Sequence, residues 1–314
     1  MPIFGTRRRK PRLAPELDDV QLGRVLKALE GSPSPGLADL QIAQVEQLLA
    51  DAGTDWDRRS HRLGVLAHAA ADSNFVRTWP ARRPGSGDAL LLQAWADLVR
   101  GTRKGDMDDA QTAVDACYDA ADLRPADPGP WVVLLGILRL LRRPSQEVFR
   151  IWQEVLSRDT WNREAHLQML GYLSPDECGS HMQVLEFIDA SRSRMPANAP
   201  TAGIELTATV RRHHTGAAAE DDLSTLMARR HWASAPAAPI LDRAYANWRS
   251  PGFLHHAAAK ADLNLLAFAL VQANRIRDAG EVFTLIDGTV TEWPWRLVGD
   301  PMQQYAYWRE RAQR

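Results

Sequence analysis

The tightest constraint on the fold is the spacing of small and large residues between Asp88 and Trp131. Two apolar helical patterns flank a charged turn at 101–109, and the second closes with Arg124-Pro125. Inside it Ala113, Cys117, Ala120 and Pro125 stand as small, large, small and proline, with three, two and four residues between them. Trp131 opens the next apolar pattern after Asp127-Pro128, a capping residue followed by a proline suited to a first helical turn. Small residues let two helices approach to the short end of the ~8–10 Å interaxial range. Large residues fill the spaces that remain, and a hairpin of two such helices still exposes one apolar face, so neighbours must stack on it. The spacing therefore predicts an all-α chain of stacked helical hairpins.

The rest of the chain repeats the theme. Helix-opening anchors recur at Trp131, His166 and Ala202, intervals of 35 and 36 residues. The most complete two-helix pattern comes late, with Leu263, Leu266, Ala267 and Leu270 followed by Ala279, Phe283 and Ile286. Helices are predicted over 16–30 and 37–52, with Gly53 closing the latter. Thr54 is the expected cap of a third helix through Leu63, Leu66 and Ala70, and Asp88 that of the helix 89–100. Ser145 is expected to cap the helix through Trp152, and Ser180-His181-Met182-Gln183 has the capping-box form. Residues 77–87, rich in proline, arginine and glycine, read as a connector and the chief internal seam. Prolines 236, 239 and 251 break the chain into short helical pieces, and Thr289–Trp295 is β-prone. The organisation that results is a disordered basic tail over 1–15, N-terminal helices over 16–80, repeats over 81–215, and C-terminal helical repeats over 216–314 continuous with them.

Trp79-Pro80 before Asp88-Ala89-Leu90, the stretch Arg124-Pro125-Ala126-Asp127-Pro128-Gly129-Pro130-Trp131, Ala165-His166-Leu167-Gln168-Met169-Leu170, and Gly179-Ser180-His181-Met182 with Phe187 carry a family likeness. Over about 79–214 the chain resembles bacterial tetratricopeptide-like helical-repeat proteins known mainly as a domain of unknown function. A tryptophan common just before the Gly-Ser pair in that family is absent here, where Asp176-Glu177-Cys178 stands. The resemblance implies a tetratricopeptide-like α-α hairpin solenoid, a right-handed superhelix, and brings no catalytic residue with it.

Charge and composition narrow the function classes. Of 38 basic residues only four are lysine, and the net charge of −1 offers no overall pull toward nucleic acid or anionic membrane. The longest apolar run, Trp131–Leu138, is far below the ~20 residues that span a bilayer. The basic run Arg7–Lys10 could tether the chain to phosphates but reads as a solvated tail. Cys117 and Cys178 are the only cysteines, expected to be reduced, buried thiols in a cytoplasmic protein.

Metal and catalytic signals are sparse. His213-His214 and His255-His256 are adjacent pairs whose side chains diverge by about 100° on a helix, so neither chelates one ion alone, and solvated or capping roles are expected. His61 and His68 lie about 10.5 Å apart along a helix, too far for one ion. Cys178 and His181 lack a second ligand pair. Gly85-Ser86-Gly87 is a linker without the Lys-Ser/Thr of a phosphate loop. Glu220-Asp221-Asp222 is expected near a helix start, complementing its dipole. Trp293-Pro294-Trp295 is the best candidate for an exposed aromatic recognition spot. No cofactor and no metal are predicted.

What remains is a non-catalytic helical-repeat scaffold that binds a protein or peptide partner in a concave groove lined by the first helix of each hairpin. Gln93, Asp97, Arg100, Arg139, Asn264 and Gln272 are the predicted contacts, beside the buried stripe, and an arginine among them could grip a carboxylate bidentately. The alternative is an enzyme whose site is assembled from sequence-remote residues such as His166, His181 or His255.

Overall fold

The computed structural model of the chain describes residues 9–30, 37–217, 231–234 and 237–314. Among them are fifteen α-helices: α1 (Val20–Glu30), α2 (Ala38–Ala50), α3 (Trp56–Ala70), α4 (Phe75–Arg82), α5 (Gly87–Lys104), α6 (Ala110–Leu123), α7 (Gly129–Leu140), α8 (Ser145–Leu156), α9 (Arg163–Tyr172), α10 (His181–Arg192), α11 (Ile204–Ala217), α12 (Ala237–Trp248), α13 (Ala259–Gln272), α14 (Ile276–Ile286) and α15 (Pro301–Ala312). Two strands of two residues each, β1 (Arg12–Leu13) and β2 (Thr289–Val290), pair in parallel. The all-α class read from the sequence holds. The chain divides into two compact units, 19–195 and 1–18 with 196–314.

In the unit 19–195, helix ends follow capping chemistry. Asp55, Asp109, Asn162 and Ser180 each accept a hydrogen bond from a backbone N–H in the first turn of α3, α6, α9 and α10. Ser86, not Asp88, caps α5: its backbone is extended and its hydroxyl accepts from the Ala89 N–H. Asp55 likewise displaces Thr54, and α8 begins after Pro144 with no side-chain cap. Asp88 is needed elsewhere. The Arg59 guanidinium, 2% exposed, donates to Asp88 and, at 2.8 Å, to Asp127, while Arg124 also reaches Asp88 at 3.0 Å. One buried cation thus ties α3 to the starts of α5 and α7.

Residues 77–87 are no seam. Phe75, Val76 and Trp79 give α4 an apolar face that packs with α5, and the Trp79 indole donates to Glu46 at 3.1 Å. α3 packs on α5, α5 on α6 and α7, and α7 on α8 and α9. The α5–α7 crossing is close because position 136 is glycine: a Cβ there would stand 2.5 Å from Leu98. Cys117 is buried within this core as predicted, whereas Cys178 is exposed, lying on the turn between α9 and α10.

In the unit formed by 1–18 and 196–314, the residues of the late two-helix pattern lie on two adjoining helices. Leu266, Ala267, Leu270, Ala279, Phe283 and Ile286 are all without solvent exposure, and α13 packs along α14. Pro239 sits at the third position of α12, where no intrahelical N–H bond is lost, so 237–248 is one helix and not fragments. The predicted recognition spot is corrected: Trp295 is fully buried among Phe268, Phe283 and Tyr305, at ring-centroid distances of 5.4, 5.9 and 5.6 Å. His256 is likewise neither solvated nor a cap, since its Nε2 bonds the buried Asp262 carboxylate at 2.8 Å.

Residues 9–15, predicted as tail, belong to this unit. The Arg12 and Ala14 N–H groups donate to the Gly288 and Val290 carbonyls at 3.0 and 2.9 Å, and Ala14 and Leu17 are buried. Gly288 takes φ +78°, and a Cβ there would press to 3.0 Å on the Arg9 carbonyl. Arg7 and Arg8 of the basic run, and the Glu220-Asp221-Asp222 stretch, lie outside the described residues.

Candidate functional site

Three of the six predicted contact residues share one face of α5. Gln93, Asp97 and Arg100 are spaced by four and three residues, and each is half-buried beside a fully buried stripe. Arg100 donates to the Asp97 carboxylate and to the Ala71 carbonyl. Arg139, on α7, is also half-buried. Its guanidinium does grip a carboxylate bidentately, but the carboxylate is Glu177 of the same chain, with Nε at 2.7 Å from Oε2 and Nη2 on Oε1. The remaining nitrogen Nη1 donates to Gln168 of α9 at 2.9 Å, and Gln168 in turn donates to Glu164 at 2.8 Å. Within this unit α7 bridges α5 and α9, so the polar side chains of the three helices follow one another across neighbouring elements.

The two residues on α13 part company. Asn264 cannot touch a partner, being wholly buried: its Nδ2 donates to the Lys260 and Thr289 carbonyls at 2.8 and 2.9 Å and its Oδ1 accepts from the Trp295 indole at 2.9 Å. It is the polar keystone between α13, β2 and the Trp295 turn. Gln272, two turns further on, lines a hollow of about 260 Å³. Ala238 and Leu241 of α12 form one wall, Trp232 and Ala233 another, and Ala273, Asn274 and Arg275 follow Gln272 around the turn into α14.

That turn has a defined geometry. Asn274 adopts φ +58°, its N–H donates to the Val271 carbonyl at 2.9 Å, and the Arg275 N–H donates to Leu270 at 2.8 Å. This is the Schellman arrangement, in which a left-handed residue after the helix returns two donors to its last carbonyls. Arg275 spends its charge locally, on Asp278 at 2.7 Å and Asp242 at 2.5 Å, with its guanidinium 5.1 Å from the Tyr245 ring centroid. The Gln272 and Asn274 carboxamides make no hydrogen bond among the described residues. The Trp232 ring is held by His213 and His231, at 5.4 and 5.2 Å between centroids, and its Nε1 has no hydrogen-bond partner among the described residues. Burial, then the Arg212 charge, holds His231 below its ordinary value, while the Thr209 backbone carbonyl works the other way.

The histidines of the enzymatic alternative are not gathered. His166 is enclosed by Trp152, Trp161 and Phe187 at 4.8–5.9 Å between centroids, with Nδ1 2.8 Å from the Asn162 carbonyl, and burial pushes it down to about 4. His181 lies exposed at the start of α10, and His255 belongs to the other unit. Among the described residues no three of His, Cys, Asp and Glu stand where they could share a metal ion. No described helix is long and apolar enough to cross a membrane. The hollow and its Asn274–Arg275 rim were missed by sequence reasoning, although an asparagine after a helical pattern is a recognisable C-terminal signal.

Comparison of the chain with protein-family models, with curated proteins and with solved structures gives no match.

Proposed function

We propose that this chain is a non-catalytic, tetratricopeptide-like helical-repeat scaffold that holds a protein or peptide segment against the polar faces of alternate helices. The observation that carries the reading is the line Gln93, Asp97 and Arg100 on α5, half-exposed at helical spacing and followed on α7 and α9 by Arg139 and Gln168. Alternate helices α3, α5, α7 and α9 adjoin one another while α6 and α8 flank them, which supports a stacked-hairpin row whose first helices form an inner face. The arginines on it are already paired, so a partner is selected by exchanging hydrogen bonds with Asp97–Arg100 and Arg139–Glu177 and not by net charge. Unpaired cysteines, Cys117 and Cys178, fit a reducing compartment such as the cytoplasm.

The test is a selection of random displayed peptides on the immobilised chain, followed by affinity measurements on the variant Asp97→Ala/Arg100→Ala. Removing both members of the pair leaves no lone charge behind, so folding survives. Selected peptides should lose about tenfold in affinity, the loss of ~1.4 kcal/mol of polar contacts. Failure to enrich any peptide, or enriched peptides indifferent to the double variant, overturns the reading.

A further inference from the structure

The hollow beside α12 has a more specific chemistry than the α5–α9 face. We propose that it seats one aliphatic side chain of a bound peptide, with Gln272 and Asn274 holding the backbone amide next to it. This inference rests on the peptide-binding reading and names the group recognised.

Size comes first. At about 260 Å³ the hollow is smaller than the ~300–1,000 Å³ of sites that take cofactors and drug-sized molecules. It accommodates a single side chain with its flanking amide. The walls decide the character of that side chain. Ala233, Ala238, Leu241 and the Trp232 ring present carbon, and burying an aliphatic group against them is worth on the order of 1.5–3 kcal/mol. Charge decides what is refused. Arg275 is the cation at the rim, and Asp242 and Asp278 already neutralise it. A carboxylate ligand would meet these two carboxylates and would have to displace one of them from Arg275.

The remaining polar groups at the rim are two carboxamides. Each carries donor and acceptor together, as a peptide bond does, and neither is engaged by the described residues. Asn274 is fixed by the Schellman turn before any ligand arrives, so little backbone freedom is lost on binding. Trp232 is similarly pre-set: it is 6% exposed and braced by two imidazole rings. The seat is thus preformed and amphipathic, with the Arg275 cation already paired.

The experiment is a titration of the full chain with N-acetyl-leucine methylamide, following the Trp232 indole N–H resonance by NMR, with Trp232→Phe supplying its assignment. A saturable shift is expected. N-acetyl-aspartate methylamide should leave the resonance in place. The variant Gln272→Ala/Asn274→Gly should weaken the leucine probe about tenfold. Glycine keeps the left-handed backbone at 274, so this variant folds. Ala238→Leu, which fills the hollow with carbon, should abolish the shift while the helical circular dichroism stays unchanged. A capped Gly-Gly-Leu-Gly-Gly peptide binding more tightly than the single residue identifies a chain as the natural occupant, and equal affinity, which identifies a small free amide, overturns the peptide assignment. Absence of a saturable shift, equal binding of the aspartate probe, or indifference to the double variant overturns the seat. Peptides that still bind through Asp97 and Arg100 in that event show that the seat alone has failed and the scaffold has not.

Discussion

His166 shows how one buried side chain contributes to the pH response of the unit 19–195. Three aromatic rings exclude water from it, and the Asn162 carbonyl beside Nδ1 suits a neutral imidazole that donates there. Burial lowers its folded value to about 4 against 6.5 in the unfolded chain. As pH falls below 6.5 the unfolded chain takes up the proton first. The contribution to stability is therefore complete above that value and is lost progressively down to about 4. Between pH 7.5 and 5 the loss is about 2 kcal/mol. Urea unfolding of the whole chain should show it as a drop in stability, and His166→Phe, which keeps the ring stacking, should remove about that much of the pH dependence. An identical pH profile in the variant would mean that His166 is not held neutral. Arg59 is the opposite case, a charge kept inside because two carboxylates answer it. Arg59→Ala leaves the buried Asp127 with only Arg124 at 3.6 Å and the Gly129 N–H, and should cost about 3 kcal/mol, read as a lowered denaturant midpoint.

At the scale of the helices, contact distance decides which substitutions are tolerated. Gly136→Ala gains up to ~1 kcal/mol of helix propensity. It also drives a methyl to 2.5 Å from Leu98 across the α5–α7 crossing, and overpacking of that kind costs ~1–3 kcal/mol. The second effect is larger, so the variant should melt at a lower temperature. Ala279→Trp should do the same and more strongly at the α13–α14 contact, where Ala279 has no exposed surface; an unchanged thermal midpoint there would refute the close packing. The alternation that brings α13 and α14 together was legible because small and large residues recur at fixed offsets over two whole helices. α4 was not, because Pro80 and its arginine neighbours mask an apolar face of three residues, Phe75, Val76 and Trp79. The caps went wrong for a related reason. Asp88 and Ser86 are equally good caps on paper, and only Arg59 and Arg124, both distant in sequence, determine that Asp88 is occupied. Of the candidate site, Gln93, Asp97, Arg100 and Gln272 were reachable from helical spacing, while the burial of Asn264 depended on β2 and Trp295 folding over it.

At the scale of the whole chain, the feature hardest to read in advance is the return of residues 9–18 to the unit formed with 196–314. A strand of two residues has no periodicity, and its partner lies at the other end of the sequence, so nothing local announces the pairing. Its bonds are nonetheless specific. Arg12 and Ala14 donate to Gly288 and Val290, Arg309 donates to the Arg9 carbonyl at 3.1 Å, and Ala14 and Leu17 fill buried positions. Removing residues 1–14 withdraws the pair and leaves the Gly288 and Val290 carbonyls without their donors. Hydrogen exchange should then accelerate at β2 and in α13 and α15, which pack against it. Amides of α5, α7 and α9 belong to the unit 19–195 and should keep their protection. Because the two sets of helices report separately, uniform loss of protection would mean that the chain unfolds as one block, and protection lost only at β2 would mean that the N-terminal strand is a surface ornament with no hold on the helices beneath it.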